Sequence, residues 1–403
     1  MRLIHTADWH LCDRLGRVDR TLDLRNRVEQ VADLCESREA DVLLIAGDVF
    51  SEGAHVTLDV MNDALDHLFK TFASFFGRGG TIIAVTGNHD REARVESIRH
   101  GMRFAAPEGG ARFRPGRMYL QNRPFLGTLE IAAGERAQFA LVPYPTIVRY
   151  GLPTEGFQSK ADENRALNTG VANWLNEAKG ALDPKLPTVL MGHLHIAGAG
   201  LSHTLFHISE ADDVVFDTGP LVGPWQYIAL GHIHKAQELP GLSHVRYSGC
   251  LDRLHMDKRE YETGVVFVEL GPNGLVRDPE VLPLTGTPMH KLEIADPSAE
   301  LPTLADRIEN RETALVHVTA TYVPGGPSRD EITRAIRGAF PRYTEIAWAK
   351  SADAGSGASD RMKLGADYRD TVRKFLAREL KDDGDRDDLL KLAETFLTTE
   401  AAQ

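Results

Sequence analysis

The sequence predicts an α/β fold, a sandwich of two mixed β-sheets flanked by helices. Short apolar runs rich in branched residues are typical of central strands, and they occupy residues 3–4, 42–46, 82–85, 189–191 and 227–230. Segments with helical periodicity separate the first runs, so the chain begins by alternating strand and helix. A later apolar run, at residues 264–270, indicates a strand of a second sheet, and packing two sheets together gives the sandwich.

Two amphipathic helices are predicted near the N-terminus. The first lies between the first two strands, and its apolar face consists of Leu24, Val28, Val31 and Cys35. The second spans residues 58–76, and its apolar face contains Ala64, Leu68, Phe72 and Phe75. Apolar stripes of this kind predict helices that pack on a sheet.

A small α/β unit is predicted beyond residue 285. Its predicted strands are residues 291–294, 314–322 and 344–349, and its predicted helices are residues 304–308 and 330–340. The unit contains no set of metal-ligand side chains, so we expect the chemistry to lie in the preceding part of the chain.

The C-terminal region is predicted to be a linker followed by helices. Residues 351–360 are rich in Ser, Ala, Gly and Asp and indicate a flexible linker. Amphipathic helices follow, and a detached helical pair cannot bury its apolar faces alone, so the tail must dock on its own protein or on a partner. The predicted divisions are a main domain (1–285), a small α/β domain (286–350), a linker (351–366) and a helical tail (367–403).

The composition predicts a soluble intracellular enzyme with more than one domain. The chain has 403 residues, of which 42% are hydrophobic and 26% are charged, enough for a large core with an appended unit. Its three cysteines, Cys12, Cys35 and Cys250, have neither zinc nor redox spacing and indicate a reducing compartment. The sequence shows no secretory signal and no apolar run long enough to span a bilayer, so we expect a cytoplasmic protein without membrane association.

Side chains that bind metals follow each of the five apolar runs, namely Asp8 with His10, Asp48, Asn88, His193, and His232 with His234. Side chains two positions apart on a strand leave the same face, so each close pair can direct two ligands to one place. In open α/β sheets, ligands bind beyond the carboxyl ends of the strands. Five such turns, far apart in the sequence, predict a dinuclear metal centre that cleaves phosphate esters.

The ligand types suit two divalent ions joined by a carboxylate. Oxygen and imidazole ligands without thiolate fit manganese, iron or zinc, and these ligand types do not distinguish among the three metals. We assign Asp48 as the bridging ligand. The two sites that it joins consist of Asp8, His10 and His234, and of Asn88, His193 and His232. Such ions lie roughly 3.5–4 Å apart and hold the attacking and leaving oxygens of an in-line displacement.

His89 is assigned a catalytic role. It lies next to Asn88 but is expected to project elsewhere, either as a general acid for the departing oxygen or as a stabiliser of charge on the phosphoryl group. Asp90 orients His89 or caps the following helix, where Asp is favoured. His5 is expected to donate a hydrogen bond within the core, or to a metal ligand, rather than to bind metal.

In order and number, these motifs resemble those of the calcineurin-like metallophosphoesterases: Asp-x-His, Gly-Asp, Gly-Asn-His-Asp, a lone His and Gly-His-x-His. Residues 5–11, 47–50 and 227–235 look like the SbcD branch, the nuclease subunit of bacterial complexes that process DNA double-strand breaks. The likeness covers residues 1–285 well and the remainder only in layout. The sequence departs from archaeal and eukaryotic relatives at Ser51, where they can carry a second catalytic-type histidine.

The resemblance implies a manganese-dependent nuclease that acts as an exonuclease on DNA ends and as an endonuclease on hairpins or single strands. It implies a capping domain at 286–350 that helps to admit DNA, and a tail at 367–403 that binds the coiled-coil base of an SbcC-type ATPase. It also implies a homodimer within a heterotetramer. Finally, the resemblance selects His193 over His195 as a ligand, because relatives keep Gly-His and vary the second position.

The net charge of −12 argues against a DNA substrate, since nonspecific affinity for duplex DNA comes largely from lysine and arginine. Arginine clusters at 91–103 and 112–117 supply positive charge, although each cluster alone is typical of a solvated surface. A small-molecule phosphodiesterase or phosphatase with the same two metals is therefore the alternative, and it would not need the helical tail. A non-catalytic scaffold is disfavoured, because buried carboxylates and imidazoles are costly to keep without metal.

Overall fold

The computed structural model describes residues 1–105, 110–131, 133–200, 213–256, 262–349 and 389–390. Met1–Ala349 forms one compact unit. The predicted linker lies outside the described residues, as does the predicted helical tail except for residues 389–390, which are helical.

The unit contains seven α-helices among its described residues, and short 3-10 turns at Gly219–Leu221 and Leu301–Arg307. In chain order the helices are α1 (Thr21–Ser37), α2 (Leu58–Thr71), α3 (Ala73–Gly77), α4 (Glu92–Ala105), α5 (Lys160–Ala181), α6 (Pro297–Glu300) and α7 (Arg329–Ala339). The strands are β1 (Arg2–Thr6), β2 (Arg14–Leu15), β3 (Val18–Asp19), β4 (Val42–Ala46), β5 (Thr81–Val85), β6 (Arg112–Phe113), β7 (Met118–Gln121), β8 (Phe125–Glu130), β9 (Arg136–Val142), β10 (Thr188–His193), β11 (His195–Ile196), β12 (Val215–Phe216), β13 (Tyr227–Gly231), β14 (Gln237–Leu239), β15 (Leu242–Tyr247), β16 (Gly264–Gly271), β17 (Gly274–Leu275), β18 (Glu280–Pro283), β19 (Met289–Ile294), β20 (Leu315–Thr321) and β21 (Tyr343–Ala349).

The first seven-stranded sheet has the order β17-β16-β1-β4-β5-β7, with β18 also paired to β16. Strands β1, β4, β5 and β7 are parallel, whereas β16 joins β1 antiparallel and places Phe267 opposite Ile4. The prediction that residues 264–270 belong to the second sheet is therefore wrong. An apolar run indicates that a strand is buried, but it does not indicate which strand lies beside it. Strand β16 pairs with β1 because the backbone groups on the free edge of β1 need hydrogen-bond partners.

The second seven-stranded sheet has the order β14-β15-β13-β10-β9-β8-β6. Strands β9, β10 and β13 are parallel in its centre, whereas β14 pairs antiparallel with β15 and β8 pairs antiparallel with β9. The two sheets pack face to face through one apolar cluster, in which Leu3 and Ile83 of the first sheet join Leu141, Val189 and Ala229 of the second. The predicted sandwich of two mixed sheets is confirmed.

Helices cover the outer faces of both sheets. On the first sheet, the predicted apolar face of α1 is completely buried. The predicted helix at 58–76 is divided into α2 and α3 at Phe72, whose ring is buried. On the second sheet, α5 buries Leu167, Val171 and Leu175. No helix within the described residues combines the length and apolar character needed to cross a membrane.

Residues 289–349 form a smaller parallel sheet of three strands, β19-β20-β21, around its own apolar cluster. Each predicted strand and helix of this segment is present, the first helix as a 3-10 turn. Helix α7 begins with a capping box made by Ser328 and Glu331. This smaller sheet contacts the sandwich where the Arg17 guanidinium lies over the Tyr343 ring, 4.1 Å from its centroid.

Candidate metal centre

The loops that follow β1, β4, β5, β10 and β13 converge at one edge of the sandwich. Strands β1, β4 and β5 are parallel neighbours, as are β10 and β13, so within each sheet their carboxyl ends lie side by side. Six of the predicted ligands are buried there and Asn88 is half-buried. The structure brings together all of the predicted ligand side chains, which are Asp8, His10, Asp48, Asn88, His193, His232 and His234.

The first group of side chains consists of Asp8, His10 and His234. One ligand atom from each lies within 4.8 Å of the others, and the two histidine rings are 5.3 Å apart between centroids. His10 Nε2 and His234 Nδ1 are buried and form no hydrogen bond with any described residue. Buried ring nitrogens are normally paired, so this group has nitrogen atoms available to an ion.

The second group consists of Asn88, His193 and His232. Asn88 Oδ1 lies 3.0 Å from His193 Nε2 and 3.1 Å from His232 Nδ1. His193 donates its Nδ1–H to the carbonyl of Ala46 at 2.7 Å. Because one ring nitrogen is used in this way, the lone pair on Nε2 is directed at the group.

Asp48 lies between the two groups. Its Oδ2 is 3.3 Å from His193 Nε2 and 3.6 Å from His10 Nε2. Its Oδ1 accepts the backbone N–H of His89 at 2.9 Å, which fixes the orientation of the carboxylate. A carboxylate in this position fits a ligand shared by two ions, and the surrounding oxygen and imidazole donors suit divalent metals.

Left-handed backbone conformation directs several of these side chains. The φ angles are 52° at Asp8, 44° at His10, 52° at Asp48 and 95° at His232. Such non-glycine residues cost about 1–3 kcal/mol each and cluster at functional sites. Strand β1 ends at Thr6 and strand β13 ends at Gly231. Strand alternation therefore directs neither Asp8 with His10 nor His232 with His234, contrary to the reasoning from sequence.

Two glycines allow the ligand loops to approach one another. Gly47 has φ of 97°, and a Cβ at this position would overlap the His193 ring. A Cβ at Gly87 would overlap the Asp48 carboxylate. Glycine is therefore required before Asp48 and before Asn88 by the close approach of neighbouring ligands.

Burial disfavours the charged forms of Asp8 and His10. It raises the pKa of Asp8 to about 7, and it lowers the pKa of His10 to about 4. Burial also acts on Asp48, but the neighbouring His193 outweighs it and holds the pKa of Asp48 well below its ordinary value. Metal ligands must be ionised carboxylates and neutral imidazoles, so a bound cation would offset the unfavourable burial of the carboxylate charge at Asp8.

Removing divalent ions is expected to lower the melting temperature of this chain. An ion that binds only the folded state stabilises it by about 2.7 kcal/mol at about one hundred times its Kd. Calorimetry of chelator-treated protein, compared with the same protein supplied with Mn²⁺, measures the shift. An identical Tm in both samples would contradict a metal centre in the folded state.

His89 lies over the first group without belonging to it. Its ring is 5.0 Å from the His10 ring between centroids, and its side chain is 35% exposed. His89 Nδ1 faces Glu52 Oε1 at 3.4 Å. A half-exposed imidazole beside buried ligands suits a group that meets the substrate.

Asp90 and His5 have structural partners. The Asp90 carboxylate accepts the backbone N–H groups of Val49, Phe50 and Gly87. It therefore joins the loops that carry Asp48 and Asn88, instead of taking either of its predicted roles. His5 Nδ1 lies 2.8 Å from the Tyr227 hydroxyl in the core, in line with its expected hydrogen bond there.

Arg149 holds the loop at 87–90, although no sequence pattern marks it. Its buried guanidinium donates to the carbonyls of Gly87 and Asp90, each at 2.8 Å. These carbonyls lie on either side of Asn88, a candidate ligand, and His89, the candidate acid. The Nε–H of Arg149 donates to Glu92 at 2.9 Å, which fixes the guanidinium in turn.

Replacing Arg149 by lysine is expected to loosen this loop. Lysine keeps the charge but lacks the planar fork that reaches both carbonyls, and an unsatisfied buried acceptor costs about 1–3 kcal/mol. We expect the free energy of unfolding to fall by this amount in urea denaturation, and phosphodiester hydrolysis to slow. Arg165→Lys, at an exposed position, is the control. A free energy of unfolding and a rate of hydrolysis equal to those of the parent in Arg149→Lys would contradict a role of Arg149 in holding the loop.

Asp213 is a further side chain that the sequence reasoning did not find. Its Oδ2 accepts from His232 Nε2 at 2.8 Å and from His195 Nδ1 at 2.9 Å. His195 thus contacts Asp213, whereas His193 contacts Asp48. Asp213 follows no apolar strand and has no regular spacing from a histidine, so only its three-dimensional position reveals it.

Comparison with known proteins assigns this fold and site to a class. The family model of the calcineurin-like phosphoesterases matches residues 1–236, which is more than half of the chain and includes every predicted ligand. The chain therefore belongs to the calcineurin-like phosphoesterase family. This membership implies divalent metal ions at the centre.

Several curated relatives are named as the SbcD component of the nuclease SbcCD. The protein from Rhodobacter capsulatus is 29% identical over 284 residues, 67% of this chain and 66% of the relative. The protein from Escherichia coli K12 is 27% identical over 268 residues, 64% of this chain and 62% of the relative. The protein from Bacillus subtilis 168 is 24% identical over 358 residues, 86% and 85% of the two chains. The match thus spans slightly under two thirds of the first two relatives.

Proposed function

We propose that this chain is the nuclease subunit of an SbcCD-type complex, a manganese-dependent phosphodiesterase that cleaves DNA. It acts as an exonuclease on double-strand ends and as an endonuclease on hairpins or single strands. The convergence of the ligand side chains and His89 at one edge of a phosphoesterase fold carries this proposal. The relatives named as nuclease components favour DNA over a small molecule as the substrate.

In this proposal the two groups of side chains hold two ions. Asp8, His10 and His234 bind one, Asn88, His193 and His232 bind the other, and Asp48 bridges them. Bound ions of this kind polarise the phosphoryl group and supply a nucleophile from water near neutral pH. Manganese fits oxygen and imidazole donors, as do iron and zinc.

His89 acts on the departing oxygen or on the phosphoryl group. It protonates that oxygen as a general acid, or it stabilises charge on the phosphoryl group. Its half-exposed ring lies next to His10, and its Nδ1 faces Glu52. The opposite ring nitrogen, Nε2, then serves the substrate.

DNA binding needs local or external positive charge, because the chain carries a net charge of −12. Metal ions supply part of it at the site. Arg94 donates to the Val56 carbonyl and Arg99 to the Asn122 side chain, so part of one arginine cluster is already engaged within the protein. We therefore assign the remaining affinity to an SbcC-type ATPase partner.

The other parts of the chain have roles in the same proposal. Residues 286–350 act as a capping domain that helps to admit DNA, and their separate sheet and apolar cluster support this division. Residues 351–366 are a linker, and residues 367–403 bind the coiled-coil ATPase subunit. A cytoplasmic location agrees with the three cysteines, which are buried and form no disulfide.

A homodimer within a heterotetramer is also part of the proposal. Helix α2 exposes 68% of Phe69, and helix α4 exposes 91% of Phe104. Phe69 of α2, Phe76 of α3 and Met102 of α4 line a common groove. Exposed apolar patches of this kind mark interaction surfaces, and a second copy of the chain is the proposed occupant.

Cleavage of end-labelled linear and hairpin DNA in the presence of Mn²⁺ tests the proposed function. The parent is expected to degrade both substrates, and Asn88→Ala is expected to degrade neither. Asn176→Ala, at an exposed position on α5, is the matched control and should retain activity.

A failure to cleave DNA has two distinguishable causes. If bis-(p-nitrophenyl) phosphate is still hydrolysed, adding an SbcC-type subunit separates them. Restored DNA cleavage would show that the partner is obligatory. Continued failure would favour the small-molecule phosphodiesterase or phosphatase.

A further inference from the structure

Asp213 is a buried carboxylate, 5% exposed, that has no role in the proposed reaction. Its Oδ2 accepts hydrogen bonds from His232 Nε2 at 2.8 Å and from His195 Nδ1 at 2.9 Å. Its Oδ1 accepts from the Tyr144 hydroxyl at 3.0 Å and from the Val214 N–H at 2.9 Å. These donors fix the carboxylate in one orientation.

The contact with Asp213 determines which nitrogen of His232 faces the metal centre. An ionised carboxylate accepts hydrogen bonds and donates none, so in the neutral ring Nε2 carries the proton. The lone pair then lies on Nδ1, 3.1 Å from Asn88 Oδ1. The His232 backbone is tethered as well, because its N–H lies 3.2 Å from each carboxylate oxygen of Asp8.

We propose that Asp213 is a positioning residue of the metal centre, which holds His232 in the orientation and tautomer that bind the second ion. Tyr144 and His195 hold Asp213 in turn, which gives His195 a role other than that of a ligand. This inference rests on the two-ion centre of the proposed function. Hydrogen-bond partners behind metal-bound histidines fix the ring, and their loss typically costs about 10–100-fold in metal affinity.

A separate ion held by His195, Asp213 and His232 is the competing interpretation. One ligand atom from each lies within 4.8 Å of the others. Together with the second ion, however, this arrangement would require His232 to give both ring nitrogens to metals and to lose its last ring proton. The distances of 2.8 and 2.9 Å are those of hydrogen bonds between a donor and an acceptor, so the geometry favours positioning.

Titration of the metal-stripped full chain with Mn²⁺ tests this proposal without DNA. Calorimetry, together with the paramagnetic resonance signal of free Mn²⁺, gives the stoichiometry and affinity. The parent is expected to bind two equivalents. In Asp213→Ala, one equivalent should bind as in the parent and the other about 10–100-fold more weakly. Asp217→Ala removes an exposed carboxylate from the same segment and should match the parent.

Asp213→Asn decides the question if the alanine variant does not fold. Asparagine has similar size, but one of its two terminal groups donates, so it cannot accept from both pairs of donors. We expect the second ion to bind about tenfold more weakly or worse. Parental binding of two equivalents by both variants would overturn the positioning role alone. A parent that binds no Mn²⁺ would overturn the two-ion centre too, and a third equivalent lost with Asp213 would establish the separate site instead.

Discussion

Replacing Asp48 by alanine is expected to remove both metal ions and phosphodiester hydrolysis together. The Asp48 Oδ2 atom lies 3.3 Å from His193 Nε2 and 3.6 Å from His10 Nε2. Removing this carboxylate therefore takes a ligand from both ion sites. Metal ions contribute several kcal/mol to charge stabilisation in the transition state. Because about 1.4 kcal/mol is worth tenfold in rate, we expect turnover to fall on the order of 10³-fold or more. Elemental analysis and hydrolysis of bis-(p-nitrophenyl) phosphate measure the two losses.

Asp66→Ala is the matched control for this experiment. Asp66 is an exposed carboxylate on α2 that pairs with Lys70, so its removal should change neither metal content nor turnover. Two equivalents of metal retained by Asp48→Ala would contradict the bridging role. Loss of activity with both ions retained would assign Asp48 to the reaction instead of the metals.

Replacing His89 by alanine is expected to lower turnover and leave the metals in place. Its ring lies beside the ligands, 5.0 Å from the His10 ring between centroids, and is not enclosed by them. Electrostatic contacts made in the transition state are worth about 10²–10³ in rate, and we expect a loss of this size. Metal content measured on the same preparation should equal that of the parent.

The choice of substrate separates the two roles considered for His89. Nitrophenolate is a weak base that departs without a proton, whereas the alkoxide leaving from DNA needs one. If His89 is a general acid, His89→Ala should impair DNA cleavage far more than hydrolysis of bis-(p-nitrophenyl) phosphate. If it stabilises charge, both reactions should slow alike. If His89→Ala cleaved both substrates at the rate of the parent, both roles would be wrong.

The convergence of the candidate ligands can be predicted from local signals. Each follows an apolar run that forms a buried strand, and the carboxyl ends of parallel strands share one edge of a sheet. Strand geometry does not explain why Asp8 and His10 point to the same place. Their side chains are directed by left-handed φ angles of 52° and 44° in a loop. A pattern of residue types does not reveal such backbone conformations.

Arg149, Asp213 and the pairing of β16 depend on contacts between distant segments. Arg149 binds two backbone carbonyls of the loop at 87–90, and every residue has a carbonyl, so no residue pattern marks the target. Asp213 reaches His232 from a segment that has no regular spacing to it. Strand β16 pairs with β1 although more than half of the chain lies between them. Tertiary packing alone brings each of these groups to its partner.

The positions of bound Mn²⁺ test the central claim most directly. Crystals of the full chain grown with Mn²⁺ would be measured for anomalous scattering from manganese. The two-ion centre predicts two peaks roughly 3.5–4 Å apart, on either side of Asp48 Oδ2. The ligands beside the peaks should be Asp8, His10 and His234 for one, and Asn88, His193 and His232 for the other. A single peak, or a peak between His195 and Asp213 in place of one of these, would contradict a two-ion centre bridged by Asp48.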